Sequence, residues 1–261
     1  MHCLICNAYT HYFFTKQFDD FGLGKVEYER CSHCGAVFAT SLLQLPEDEW
    51  QSLCVRYHGH YRIGDENPDD PNWRQRLQSQ SDFLFTMSKV GLLPEQHRWL
   101  DYGCGEGELS GLLGQQGVRV DCYDRYWQKE HSVDKSQLLP GSYPVVINTA
   151  LFEHLRSRAE MDAIINLITE DGTFALHTLV RGEIPRDPSW FYLLPVHTIF
   201  FTNQAMRILF QEWGFSSSLY AVDSRLWLWF KASKATLLKR YPGLASEQDW
   251  KICDGFMAYW P

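Results

Sequence analysis

The sequence predicts an α/β fold built on a parallel sheet, with a small metal-binding module ahead of it. Three observations carry this. An apolar run ends in Leu100-Asp101-Tyr102 and meets glycines at alternate positions, Gly103, Gly105 and Gly107, before a helical pattern starts with Glu108-Leu109-Ser110-Gly111-Leu112-Leu113. Pro144-Val145-Val146-Ile147-Asn148 is apolar without alternation, as a strand buried on both faces must be. Two C-x-x-C pairs, Cys3/Cys6 and Cys31/Cys34, stand near the start of the chain.

The 261 residues suffice for one large domain plus a small module. A formal net charge of −8 disfavours broad binding to a phosphate backbone, so nucleic acid is an unlikely partner. The longest apolar runs, such as Leu226–Phe230, are far too short to span a bilayer. Cys3 lies too close to Met1 for a targeting segment, and paired C-x-x-C without a signal peptide reads as metal binding rather than disulfides. The expectation is a cytoplasmic protein. Its oligomeric state is left open.

Residues 1–45 read as a zinc ribbon. Each C-x-x-C can wrap a tight turn and give two thiolates to a tetrahedral Zn²⁺. Asn7 and Gly35, each following a pair, tolerate the left-handed backbone such a turn needs. Tyr12–Phe14 and Val26–Arg30 are strand-like, with a turn at Gly22-Leu23-Gly24 between them. His2 and His33 are substitute ligands, iron is the alternative metal, and redox or reduced thiols are the alternatives without metal.

Residues 46–90 read as a helical connection. Pro46-Glu47-Asp48-Glu49 opens a helix, and Trp73–Val90 is periodic, with Leu77, Leu84, Met87 and Val90 on one face. Between them, Tyr57-His58-Gly59-His60-Tyr61-Arg62 looks irregular, and Asp65–Pro71 looks like a polar linker. Tyr57, His58, His60, Tyr61 and Arg62 form either a ligand contact or a satisfied polar cluster, the latter being the preferred reading.

Residues 91–232 hold the main domain. Strand Arg98–Tyr102, helix Glu108–Gln116 and strand Val118–Tyr123 form a βαβ unit, with Gly117 as the helix stop. Asp124 ends the second strand about 20 residues after the glycine loop, where a carboxylate holds a ribose diol in nucleotide-binding α/β folds; Asp121 points elsewhere. A shortened third strand is expected near His131-Ser132-Val133, followed by Asp134, either an adenine contact or a solvated loop acid. Ser157-Arg158-Ala159-Glu160 is a capping box opening a helix with the stripe Met161, Ile164, Ile165 and Ile168. Asp171-Gly172 turns into strand Thr173–Leu179. Arg181–Phe201 is read as a long aromatic loop, a lid or acceptor pocket. Thr202 caps the next helix, Gly214 stops it, and Phe215–Val222 with Arg225–Ala232 form a closing strand pair. Residues 233–261 read as an appendage without a motif.

The stretch Leu100-Asp101-Tyr102-Gly103-Cys104-Gly105-Glu106-Gly107 resembles motif I of the class I S-adenosylmethionine (SAM)-dependent methyltransferases. Thr149-Ala150-Leu151-Phe152-Glu153-His154-Leu155 resembles the segment after the fourth strand in the ubiquinone-pathway and sugar C-methyltransferase group; the two cysteine pairs and the H-x-x-F-F-T to W-G-F region fit the same group. The resemblance implies a Rossmann-like, doubly wound, seven-stranded sheet with the last strand antiparallel. It implies SAM as cofactor, held by Asp101, Gly103, Gly105, Gly107, Asp124, Asp134 and Asn148, and Zn²⁺ on Cys3, Cys6, Cys31 and Cys34. The stretch between Asp124 and Pro144 is shorter than the pattern requires, and the long C-terminal domain of some relatives is missing.

SAM carries an activated methyl group, so the protein must align an acceptor and remove a proton where needed. His154, His177 and His197 are the candidate bases, with Glu153 behind them; the bland reading of each is a core or backbone-bonded residue. Three functions compete. The first is methyl transfer to a small-molecule acceptor: a sugar, a quinone-like compound or a natural-product intermediate. The second is methylation of RNA or protein gripped by the ribbon, against which Lys16, Lys25 and Arg30 face Asp19, Asp20, Glu27 and Glu29. The third is a non-catalytic partner protein, which would have no physical reason to keep both the glycine loop and Asp124.

Overall fold

The computed structural model describes residues 1–61, 70–127, 130, 132–245 and 249–260. Arg62, the Asp65–Asp69 part of the linker and His131 lie outside the described residues, as do the side chains of His60 and Tyr61.

The chain opens with β1 (Thr10–Phe18), β2 (Gly24–Cys31) and β3 (Val37–Ala39), then α1 (Thr40–Leu43), α2 (Glu47–Tyr61) and α3 (Trp73–Lys89). The main domain follows: β4 (Trp99–Tyr102), α4 (Glu108–Gln115), β5 (Val120–Tyr123), β6 (Tyr143–Thr149), α5 (Arg158–Ile165), β7 (Ile168–His177), β8 (Val180–Arg181), β9 (Ile199–Thr202), α6 (Asn203–Glu212), β10 (Ser217–Ala221), β11 (Leu226–Phe230), α7 (Lys234–Arg240) and β12 (Trp250–Asp254).

The large sheet has seven strands in the order β12-β10-β11-β7-β6-β4-β5. The pairs β5/β4, β4/β6 and β6/β7 are parallel, whereas β11 runs antiparallel to both β7 and β10. The seven are reached by an exchange. The third strand expected after Asp124 shrinks to a single parallel bridge, Cys122 to Ser132, because too few residues separate Asp124 from Pro144. The tail read as an appendage supplies β12, antiparallel to β10 along its whole length.

The pleat explains why β6 and β7 carry no polar alternation. Val145, Ile147 and Ala175 enter one core with Leu84 and Met87 of α3 and Leu109 and Leu113 of α4. Val146, Phe174 and Leu176 enter the other with Met161, Ile164 and Ile165 of α5 and Leu209 and Phe210 of α6. Each face is covered by helices, as in a doubly wound fold. The Ser157/Glu160 capping box forms at α5, and Ile168 opens β7 instead of extending the helix stripe.

Two further regions depart from the sequence reading. Tyr57–Tyr61 is not irregular but the last turn of α2. The segment 181–201 is not a free loop: β8 pairs with β9, and β9 pairs with β3, so the ribbon strands become a five-stranded sheet β1-β2-β3-β9-β8. Leu193, Val196 and Phe200 are buried with Tyr28, Trp50, Leu53 and Tyr57. Apolar side chains at the loop's end find a ready apolar face on the ribbon and α2, so they pack there rather than standing open as a lid.

Candidate active site

The glycine loop joins β4 to α4. Gly103, Gly105 and Gly107 have φ of 83°, 52° and 76°, a left-handed backbone open to glycine at little cost. A Cβ on Gly103 would sit 2.6 Å from the Leu151 side chain, so this glycine lets the segment after β6 press onto the loop. A Cβ on Gly105 would meet nothing within 4 Å, leaving open space above the loop.

Asp124 ties the loop to the chain beyond β5. Its Oδ2 accepts from the Gly105 N–H at 3.1 Å, and its Oδ1 from Tyr126 and Trp127 at 2.9 and 3.0 Å. Burial raises its pKa against those three N–H bonds. Trp127 donates its indole N–H to Glu106 at 2.7 Å, beside the glycines.

Asp101 and Asn148 end adjacent parallel strands, and both are buried. Asp101 Oδ2 accepts from Ser110 at 2.7 Å, while Oδ1 has no partner among the described residues. Burial pushes this carboxyl up to about 7, the Ser110 bond opposing it. Asn148 donates to the Tyr102 carbonyl at 3.0 Å, leaving its Oδ1 equally unpartnered. Two orphaned buried acceptors beside an open glycine loop fit a ligand that brings N–H donors, as the amino group of SAM would. Asp134 does not join this group: it is exposed, and its carboxylate accepts from the Ser136 N–H and hydroxyl in its own capping box.

Beyond β6 the chain passes through Ala150, with φ of 53°, into a turn carrying Glu153 and His154. Glu153 is buried, and burial raises its pKa. Tyr192 and Thr178 donate hydroxyl hydrogens to its two oxygens at 2.7 and 2.8 Å. The His154 ring lies 4.8 Å from that of His197 and 5.5 Å from that of His58, which α2 brings across the strand ends. The Tyr192 carbonyl accepts from His197 Nδ1–H at 2.8 Å, which fixes that ring's tautomer and leaves Nε2 as a lone pair. His154 Nδ1 is buried without a partner among the described residues. Desolvation lowers all three imidazoles, His154 to about 4 and His58 to about 3, so each is neutral at physiological pH.

His177 is separate from this cluster. It ends β7, and its Nδ1–H donates to the Arg225 carbonyl at 2.7 Å, in the turn between β10 and β11. The structure thus brings together two of the three predicted bases and Glu153, the candidate placed behind them, and adds Tyr192 and His58. Tyr192 was legible only as one ring in an aromatic run; the signal for His58 was its place in the Tyr57–Arg62 cluster.

The four cysteines also converge. Cys3 and Cys34 sulfurs are 3.6 Å apart, Cys6 and Cys31 sulfurs 3.4 Å, and all four lie within 4.8 Å of one another. Sulfurs around a tetrahedral Zn²⁺ sit about 3.8 Å apart, whereas a disulfide needs about 2.05 Å, so the donor set fits a metal. Backbone N–H groups of Ile5, His33 and Cys34 point at the Cys3 and Cys31 sulfurs, each at 3.4 Å. Asn7 and Gly35 have φ of 58° and 72°. His2 instead bonds the Asn7 carbonyl and His33 is exposed.

No curated protein matches the sequence. Among solved structures, the chain is similar to magnesium protoporphyrin IX methyltransferase from Synechocystis PCC 6803 with bound S-adenosylhomocysteine (19% identity, TM-score 0.46, 71% of this chain and 97% of that one). It is also similar to 1,6-didemethyltoxoflavin-N1-methyltransferase from Burkholderia thailandensis (15%, 0.44, 76% and 95%) and to a SAM-dependent methyltransferase from Archaeoglobus fulgidus (14%, 0.41, 67% and 94%). The profile of a methyltransferase-domain family matches residues 72–217, from α3 through the glycine loop and the Glu153 turn to the start of β10. That span exceeds half of the chain, which therefore belongs to this methyltransferase-domain family.

Proposed function

We propose that the chain methylates a small-molecule acceptor bearing an acidic O–H or C–H, bound against the Glu153–His154–His197 cluster. One observation carries the reading: His154 Nδ1 is a neutral, buried lone pair with no partner among the described residues, a short way along the chain from Leu151, which touches the glycine loop. A buried acceptor atom left unpaired costs about 1–3 kcal/mol, so an incoming donor is favoured there. Enclosure by Tyr192, His197 and α2 suits a compact acceptor better than a strand of RNA or a protein surface.

Asp101, Asn148, Asp124 and the glycines Gly103, Gly105 and Gly107 hold SAM in this reading: the first two face its amino group, and Asp124 its ribose. SAM bound there would supply a methyl group on a cationic sulfur, the acceptor's electron pair forming the new bond as the C–S pair leaves with sulfur. His154 receives the acceptor's proton at Nδ1. His197, locked by the Tyr192 carbonyl, keeps the ring beside it oriented, and Tyr192 and Thr178 hold the Glu153 carboxylate in place. Zn²⁺ on Cys3, Cys6, Cys31 and Cys34 is closed to chemistry and braces the ribbon. No helix among the described residues is long and apolar enough to cross a membrane, and eight cysteines without a disulfide support a reducing, cytoplasmic setting.

The test is to incubate the protein with methyl-labelled SAM and a cell extract, then separate small molecules from macromolecules. Label is expected in the small-molecule fraction, and His154→Ala should cut its transfer by about 10²–10⁴-fold with SAM affinity nearly unchanged. Label retained on RNA or protein would reject the acceptor class.

A further inference from the structure

Outside the cysteine site, one other group of metal-ligating side chains converges among the described residues: Glu153, His154 and His197, with one ligand atom from each inside a 4.8 Å span. We propose that these three side chains bind a divalent transition-metal ion, Zn²⁺ or Fe²⁺ in class, which takes an oxygen of the acceptor in its remaining positions. The proposal rests on the acceptor site of the reading above but commits His154 Nδ1 to the metal instead of to the proton, so that the metal-bound acceptor O–H releases its proton to solvent.

Four features of the geometry support it. Two imidazoles and one carboxylate are the donor set of three-ligand metal sites that keep open positions. The lone pairs are available, at Nε2 of His197 and at the unpartnered Nδ1 of His154. The outer shell is in place: the Tyr192 carbonyl orients His197, and the Tyr192 and Thr178 hydroxyls orient Glu153, the pattern that holds ligands around a metal. Finally, among the described residues no cationic side chain hydrogen-bonds the buried Glu153 carboxylate, and a divalent ion supplies the missing positive charge. Ligand atoms around Zn²⁺ sit about 3.3 Å apart, so ring and carboxylate rotation must close the present span.

The two metal sites differ in spectroscopy, which makes the test clean. The full-length protein, stripped of metal and titrated with Co²⁺, should take up two equivalents. One gives the intense near-ultraviolet thiolate charge-transfer band of a four-cysteine site; the other gives only weak visible bands of nitrogen and oxygen ligation. His154→Ala and Glu153→Gln should each lose the second equivalent and keep the first, and His97→Ala, at an exposed position, should keep both. Because the wild-type titration alone reads both sites, the proposal stays testable if a variant fails to fold. A wild-type protein that binds one equivalent only, with thiolate bands, overturns the proposal. If that occurs while His154→Ala still abolishes methyl transfer, the acceptor reading stands with His154 as base. Two equivalents together with unimpaired transfer in His154→Ala would leave the ion bound but overturn its grip on the acceptor, and the acceptor reading with it.

Discussion

On the side proposed for the cofactor, Asp101, the three glycines and Asp124 come from one unbroken βαβ unit, joined by bonds such as Gly105 N–H to Asp124. On the side proposed for the acceptor, Glu153 accepts a hydrogen bond from the hydroxyl of Tyr192, 39 residues later, and His154 packs between His58 of α2 and His197. The Thr198 N–H and hydroxyl both reach the Glu153 carbonyl, and the Thr198 carbonyl accepts from the Ala39 N–H of the ribbon. One wall is mostly local in sequence, with Asn148 added from β6; the other is assembled from four distant segments and rests on the ribbon. A chain built this way can change its acceptor by altering ribbon, α2 or the 181–201 segment without disturbing the cofactor wall.

The largest effect should come from Gly105→Val. The open space above Gly105 means the fold tolerates the side chain apart from left-handed strain of about 1–2 kcal/mol, while SAM affinity should drop at least about a hundredfold. Calorimetry showing wild-type affinity would place the cofactor elsewhere. Cys31→Ser separates the walls next. Loss of the ribbon metal should loosen β3 and β9, and through Thr198 displace the Glu153 turn. Methyl transfer should fall about 10–100-fold, the scale of an ångström-sized misplacement, with SAM affinity within about threefold. Equal losses in both would show that the two walls are one unit.

Asp124→Ala acts on the cofactor wall alone. Charge-assisted bonds are worth about 1.5–3 kcal/mol each, so SAM affinity should fall about tenfold or more, and three backbone N–H groups lose their acceptor. Asp124→Asn should recover part of the loss; if it recovers none, the charge itself matters.

The smallest effect is a pH dependence. Burial raises Asp101 from 3.8 to about 7 in the folded chain. The folded state therefore holds a proton that the unfolded state has released, so this group's contribution to stability is complete below pH 3.8 and is lost as pH rises through about 7. Asp101→Asn should be flat over that window, and the difference in melting temperature between the two proteins should shift steadily from pH 4 to 7. SAM affinity of the wild type should rise about two- to fivefold from pH 6 to 8 as the carboxylate ionises, and the variant should show no such rise.

The contrast between the walls also explains what could be read in advance. Leu100–Asp124 was legible because strand, turn, helix and strand signals follow in order, and Gly105, Asp101 and Asp124 bond neighbours in that unit. Cys3, Cys6, Cys31 and Cys34 were legible because metal spacing is local too. Tyr192 and His58 were not: nothing near either in sequence says that β9 pairs with β3, or that α2 runs on through Tyr61 and lays His58 on His154. His177 misled for the same reason, since its partner Arg225 lies 48 residues later, in the turn leading into the neighbouring strand β11. The edge strand β12 escaped notice because Trp250–Asp254 mixes charged and apolar residues, as an edge strand does.

The pairing of β3 with β9 has a consequence for how the chain is made. During synthesis the ribbon emerges first and its cysteines can take up metal at once, yet Val37 and Phe38 must wait for Ile199 and Phe200. At ordinary ribosomal rates that partner arrives roughly 160 residues, or on the order of 10–30 s, later. For that interval β3 exposes an apolar edge able to pair with the same edge of another nascent chain. Slowing elongation before residue 199 should therefore raise aggregation, and supplying zinc should not cure it.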